Sequence, residues 1–273
     1  MMSAGLYDQA IAAALKNGPT PCRWVQFAAA GYDAAVRHGF PSRMQLTNAP
    51  SAIAPTVAEH AMAMMLSMVR RLPQIDRARN ESGWHRDRYV KTIGTLDGQT
   101  LVIVGYGNIG RDVARRAAAF GMKVIAVGRR AIDDPLLERS FTLERLHEAL
   151  ALADVVLLAI PLVTATERLI DSRALAVLKP EAILVNVARG QVVDEAALIE
   201  VLQAGRLKGA ALDVTLIEPP PMDSPLRSLD NVLLTPHVAG FGGGATARRL
   251  ADVCVANLER FLAGQPLLHP VTL

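Results

Sequence analysis

The middle of the chain alternates short, uninterrupted apolar runs with longer stretches in which apolar residues recur every three or four positions. The first run, Leu101–Val104, is apolar throughout, which suits a strand buried on both faces. Arg111–Phe120 follows with helical spacing. Lys123–Val127 then reads as a strand, Thr142–Ala151 as a helix and Asp154–Ala159 as a strand. Asp171–Val177 reads as a helix, Ala182–Asn186 as a strand, and Asp194–Ala204 as a helix with Asp194 as its N-cap. Gly209–Leu212 and Asn231–Leu234 close the series as strands. Six apolar strands separated mostly by helices predict an α/β fold with a doubly wound parallel sheet.

The flanks have a different pattern. Residues 1–48 hold a helix near Gln9–Leu15 and a strand near Arg23–Phe27, and end in a stretch containing Pro and Asn. Glu59–Leu72 predicts a methionine-rich helix. Val57, Ala61, Met64, Met65 and Met68 share one of its faces, a composition suited to adaptable packing. Gly242–Ala245 predicts a hinge, and a last helix spans about Thr246–Leu262. That helix carries Leu250, Val253, Cys254, Leu258 and Phe261 on one face.

Composition narrows the class. A chain of 273 residues, 51% apolar and 20% charged, holds one or two globular domains and is not disordered. The 29 Lys and Arg are nearly matched by 26 Asp and Glu, leaving a net charge of +3. The paired arginines are isolated along the chain and aromatics are only 4%, so no nucleic-acid partner is expected. No apolar run reaches the length of a membrane helix and no basic segment opens the chain. The expectation is a cytoplasmic protein with no membrane partner. Two cysteines, Cys22 and Cys254, are too few for a disulfide framework or a four-ligand zinc site, so no metal is expected.

The strongest local motif is Gly105-Tyr106-Gly107-Asn108-Ile109-Gly110, because it leaves a buried strand and opens a helix. Gly105 allows the tight turn, Gly107 lets a pyrophosphate approach the backbone, and Gly110 lets helix and strand pack closely. The helix start then offers its N–H groups to phosphate. The second strand ends in Gly128-Arg129-Arg130 rather than in an acidic residue. Two guanidinium groups suit a 2′-phosphate, so NADP(H) is the preferred cofactor and NAD(H) the lesser one. Ligands of such sheets lie beyond the carboxyl ends of the strands. The residues there are Gly105, Arg129, Pro161, Arg189, Asp213 and His237 in strand order. His237 is the candidate catalyst. His38, His60, His85, His147 and His269 have no such placement.

Six motifs then stand in register: Thr56-Val57-Ala58-Glu59-His60, the glycine motif, Asn186-Val187-Ala188-Arg189-Gly190, Ala211-Leu212-Asp213-Val214, Glu218-Pro219-Pro220-Pro221 and Thr235-Pro236-His237-Val238-Ala239-Gly240. Over residues 22–273 the chain resembles the D-isomer-specific 2-hydroxyacid dehydrogenase family. Its Gly-Arg-Arg segment resembles the NADP-dependent glyoxylate/hydroxypyruvate reductase branch.

The resemblance implies a Rossmann sheet, at 49–238, plus a smaller, N-terminally incomplete flavodoxin-like substrate domain made of 1–48 and 239–273. It implies that Arg189 binds the substrate carboxylate and polarises the neighbouring carbonyl. It makes His237 the proton donor in reduction and Glu218 its hydrogen-bonded partner. Backbone N–H groups of Ala30 and Gly31 would cradle the carboxylate, and Asp213 would meet the nicotinamide carboxamide. The cofactor set further takes in Asn108, Ile109, Gly110, Pro161, Thr166, Val187, Ala188 and Gly240. The substrate is a small 2-keto acid of glyoxylate or hydroxypyruvate type, reduced to a D-2-hydroxy acid. The competing readings are a dinucleotide-sensing binding protein, similar to the family's corepressor members, and a truncated inactive homologue. Family members pair through the segment that corresponds to residues 59–95, and Trp84 and Tyr89 among its arginines make the same two-fold homodimer the expectation here.

Overall fold

The computed structural model describes Met2 and residues 4–273. The chain divides into two compact units. One comprises the residues up to Thr56 together with Gly240–Leu273, and the other is Val57–Ala239. The first division falls inside a long helix, Pro50–Val69.

In the discontinuous unit, β1 (Trp24–Gln26) and β2 (Gln45–Thr47) pair in parallel, Trp24 opposite Gln45. Helices Gln9–Asn17, Asp33–His38 and Gly243–Leu262 accompany them. Tyr7, Phe27, Ala35 and Leu46 form its apolar centre, the Tyr7 ring meeting Phe27 edge-on at 5.6 Å. Three departures from expectation stand out. Neither β2 nor the helix Asp33–His38 carries a long apolar run, and both were missed. Gly242–Ala245 is not a hinge: Gly242 caps the last helix and Gly243 opens it. On that helix Leu250, Val253, Cys254 and Phe261 are half-buried, but Leu258 is 48% exposed and Asn257 beside it is fully buried. Asn257 donates to Gln26 Oε1 at 2.7 Å and accepts from Leu268 N at 2.7 Å, so a satisfied amide takes the inward position.

In the continuous unit, seven strands form one parallel sheet. They are β3 (Thr100–Val104), β4 (Lys123–Gly128), β5 (Arg139–Thr142), β6 (Val155–Leu158), β7 (Ile183–Asn186), β8 (Gly209–Leu212) and β9 (Val232–Leu234). The order is β5-β4-β3-β6-β7-β8-β9. This is the doubly wound α/β sheet that the apolar runs predicted, with one strand more. The extra strand, β5, lies at the sheet edge, and of its four residues only Phe141 is buried. Thr142 therefore ends a strand instead of starting a helix, and the helical part there shrinks to Leu146–Leu150 after a 3₁₀ turn.

The inner strands are buried on both faces. Leu101–Val104 and Val155–Leu158 are fully shielded, each large side chain contributing roughly 1.5–3 kcal/mol by leaving water. Asp171 and Asp194 cap the helices Ser172–Ala176 and Glu195–Gln203, accepting from Ala174 N at 2.8 Å and Ala197 N at 3.2 Å.

The methionine-rich helix starts earlier than its pattern suggested, at Pro50, and buries Val57, Ala61, Met64, Met65 and Met68. A Cβ on Gly209 would stand 2.6 Å from the main-chain oxygen of Asn231, which cannot yield, as well as 2.5 Å from Met68 Cε, so β8 opens with glycine. By length and composition this helix suffices to cross a membrane, contrary to the sequence reading. In the fold 56% of it is buried within the protein, as in a core helix.

Candidate active site

The sheet's growth reverses between β3 and β6, which makes the carboxyl ends of these two strands the binding crevice of an open parallel sheet. Gly105 sits there at φ 102°, in the region that favours glycine. A Cβ on it would lie 2.5 Å from Ala159 O and 2.8 Å from Ile160 Cα, in the turn after β6. A Cβ on Gly110 would strike the Gly105 carbonyl oxygen. Gly107 caps the helix Asn108–Ala119, and a Cβ there would touch nothing within 4 Å. Two glycines are thus needed for internal packing, and the third leaves open space before the helix start. The first N–H groups of that helix, from Asn108 and Ile109 on, have no intrahelical acceptor. This set fits a dinucleotide pyrophosphate. Burial, with Asp134 beside it, pushes the Tyr106 hydroxyl up to about 12, so the residue between the glycines stays uncharged.

At the end of β4, Gly128 is half-buried and Arg129 and Arg130 are exposed. After β6, Pro161 opens a loop that Thr166 braces. The Thr166 hydroxyl donates to Pro161 O at 2.7 Å and accepts from Val163 N at 2.9 Å. Thr166 is 3% exposed, so its hydroxyl serves the loop's shape.

After β7, Val187 and Ala188 are buried and Arg189 is half-buried. Asn186, which opens one of the six motifs but has no role assigned from sequence, shapes this turn: Oδ1 accepts from Ala188 N and Nδ2 donates to Arg189 O, both at 2.9 Å. After β8 comes Asp213, 2% exposed. Its Oδ1 accepts from Thr235 Oγ1 at 2.6 Å and Val238 N at 2.9 Å, and its Oδ2 accepts from Ala239 N at 2.9 Å.

His237 follows β9 at φ 54°, a left-handed conformation that costs a residue with a Cβ about 1–3 kcal/mol. Its N–H donates to Asp213 O at 2.8 Å. Its Nδ1 lies 2.7 Å from Glu218 Oε2. A carboxylate only accepts, so Nδ1 carries the hydrogen and Nε2 is the ring atom left to exchange a proton. Both side chains remain partly exposed. They line a cavity of about 410 Å³ together with Asp213, Thr235 and Arg227. Arg227, also missed from sequence, anchors the proline loop by donating to Pro220 O at 2.8 Å.

Ala30 and Gly31 lie in the discontinuous unit, between β1 and the helix Asp33–His38, where Asn48 Nδ2 donates to Ala30 O at 2.6 Å. Gly240 belongs to the same unit. Among the described residues, no group of three or more His, Cys, Asp or Glu is placed to hold a metal.

A parallel sheet with a glycine-lined crevice and a carboxylate–imidazole pair on the same edge defines a dinucleotide-dependent oxidoreductase. The family model of the D-isomer specific 2-hydroxyacid dehydrogenase NAD-binding domain matches residues 62–239, and the chain belongs to that family. It is 37% identical to a glyoxylate reductase of Korarchaeum cryptofilum, covering 87% of this chain and 72% of that protein. It is 36% identical to a chloroplastic D-3-phosphoglycerate dehydrogenase of Arabidopsis thaliana, over 85% of this chain but only 35% of that one. Among solved structures, a D-isomer specific 2-hydroxyacid dehydrogenase of Xanthobacter autotrophicus in complex with NADPH and MES aligns with a TM-score of 0.82 at 34% identity, over 92% of this chain and 78% of that one. An NADPH-dependent glyoxylate/hydroxypyruvate reductase of Sinorhizobium meliloti, in complex with NADP and malonate, aligns with a TM-score of 0.76 at 31% identity, over 92% and 77%.

Proposed function

We propose that the protein is an NADPH-preferring reductase of small 2-keto acids, of the glyoxylate or hydroxypyruvate type, yielding D-2-hydroxy acids. The observation that carries the reading is the 2.7 Å contact between Glu218 and His237 on the edge that also carries Arg189. The dinucleotide, when bound, supplies the hydride. Arg189 binds the carboxylate of the keto acid and polarises its carbonyl, stabilising negative charge as it develops on oxygen. His237 delivers a proton from Nε2 to that oxygen, while Glu218 holds the ring in orientation through Nδ1. Asp213 accepts from the backbone beside His237 and offers a carboxylate toward the carboxamide side of the dinucleotide. Gly105, Gly107 and the first turn of the helix Asn108–Ala119 hold the pyrophosphate. Arg129 and Arg130 take the 2′-phosphate, a reading supported by the absence of an acidic residue after β4 and by the exposure of both arginines.

The test is NADPH oxidation, followed by absorbance, with a panel of 2-keto acids. Saturable turnover with glyoxylate or hydroxypyruvate, and an R-configured product where a stereocentre forms, is the expected result. NADPH binding without turnover of any 2-keto acid would overturn it.

A further inference from the structure

His60 stands on the methionine-rich helix, 175 residues from Thr235 along the chain, yet its Nε2 lies 3.0 Å from Thr235 Oγ1. The same nitrogen is 3.5 Å from Asp213 Oδ1. Counting donors fixes the direction of the contact. Thr235 has one hydroxyl hydrogen, and it is directed at Asp213 Oδ1 at 2.6 Å. Toward His60 the Thr235 oxygen can therefore only accept, so His60 Nε2 carries the hydrogen. The result is a one-way relay: His60 Nε2–H to Thr235 Oγ1–H to Asp213 Oδ1.

The far side of Asp213 grips the segment that presents the active-site histidine. Its two side-chain oxygens accept from Val238 N and Ala239 N, both at 2.9 Å, and its main-chain oxygen accepts from His237 N at 2.8 Å. His237 has the left-handed backbone that only such surroundings maintain. Asp213 has no freedom to turn while Thr235 holds one oxygen, and Thr235 has none while His60 donates to it.

We propose that His60 is a positioning residue for His237. By donating to Thr235 it keeps the Asp213 carboxylate in the orientation that clamps residues 237–239, and so keeps the His237 ring facing the reacting oxygen. The proposal rests on His237 being the proton carrier of the reaction proposed above.

The test compares His60→Leu, which removes the donor, with His60→Gln, which restores an N–H at about the position of Nε2. Two readouts are taken on the full chain: steady-state reduction of glyoxylate by NADPH, and backbone amide exchange of the peptide covering 235–239 by mass spectrometry. His60→Leu should lower kcat at least tenfold and speed exchange at 235–239 at least tenfold. His60→Gln should stay within threefold of the unaltered protein on each measure. Thr235→Val should reproduce His60→Leu, Thr235→Ser should not, and the double substitution of His60→Leu with Thr235→Val should be no worse than either alone.

Unaltered kcat and exchange in His60→Leu would overturn the proposal, as would a His60→Gln protein as impaired as His60→Leu. If His60→Leu does not fold, the Thr235 pair decides by the same criteria. If the unaltered protein turns over no keto acid, the proposed reaction fails by itself, and the exchange measurements still decide whether His60 holds the 235–239 segment.

Discussion

Asn186 donates to the carbonyl oxygen of Arg189 at 2.9 Å, closing the turn that carries the guanidinium to the edge of the sheet. Its other amide atom accepts from Ala188 N, so a single buried side chain, 1% exposed, satisfies both ends of the turn. Asn186→Ala leaves the buried Ala188 N–H without its acceptor and strips one of two donors from the Arg189 carbonyl, which keeps Val192 N at 3.2 Å, at about 1–3 kcal/mol. The expected outcome is a fall in melting temperature of several degrees and a KM for the keto acid raised at least tenfold. Thermal melts and steady-state kinetics on the same preparation check both.

The Glu218–His237 pair predicts a graded series. His237→Ala should reduce kcat by roughly 10²–10⁴, the usual contribution of a positioned acid–base group, with NADPH binding held within a few fold. Glu218→Gln keeps an oxygen able to accept from Nδ1 but removes the charge, so its loss should be smaller, on the order of tenfold. Kinetics combined with a fluorescence titration of NADPH separate chemistry from binding. A His237→Ala protein with near-normal kcat would remove the imidazole from the mechanism.

Cofactor choice should follow the exposed arginines after β4. Charge-assisted bonds to a phosphate contribute about 1.5–3 kcal/mol each, so kcat/KM should favour NADPH over NADH by at least tenfold. Arg129→Ala should erase most of that ratio by weakening NADPH use and leaving NADH use nearly unchanged. Equal use of both dinucleotides by the unaltered protein would contradict this assignment.

Trp84 is 92% exposed, in a segment of short helices, Leu72–Arg77 and Arg86–Val90, joined by a 3₁₀ turn. Leu72, Ile75 and Val90 are exposed beside it in sequence. Tyr89 donates to Gln74 O at 3.2 Å and ties the segment together. A solvent-facing indole among arginines suits the centre of a two-fold contact between copies of this chain. Light scattering after size exclusion should give twice the mass of one chain, and Trp84→Asp should shift it toward one. A single-chain mass for the unaltered protein would reject this interface.

The legible parts of the fold are those in which burial is uniform. Leu101–Val104 and Val155–Leu158 announce themselves because both faces are covered and no polar residue interrupts them. β5 and β2 were not legible: Arg139-Ser140-Phe141-Thr142 shows one buried side chain, and Gln45-Leu46-Thr47 buries a threonine through hydrogen bonds rather than apolar contact. The site divides along similar lines. Gly105, Arg189, Asp213 and His237 could be found because each ends a recognisable strand. His60 and Asn186 stand in quoted motifs but their roles could not be read there, and Arg227 could not be found at all, because each acts through a hydrogen bond to main chain or hydroxyl whose partner is set only by the fold.

The division of the chain sets an order in time. The seven-stranded unit is one uninterrupted stretch, Val57–Ala239, complete once that stretch has left the ribosome. The other unit waits longer. Leu46 O accepts from Val271 N, Thr47 bridges to Pro270, and the Gln26 side chain accepts from Asn257. Tyr7, Phe27 and Leu46 pack chiefly on residues 2–40, whereas these polar partners of β1 and β2 come from residues 257–271. The paired segment of residues 24–47 therefore acquires its last hydrogen-bonded partners only after the stretch that forms the seven-stranded sheet has emerged, and until then it stays open to chaperones and proteases.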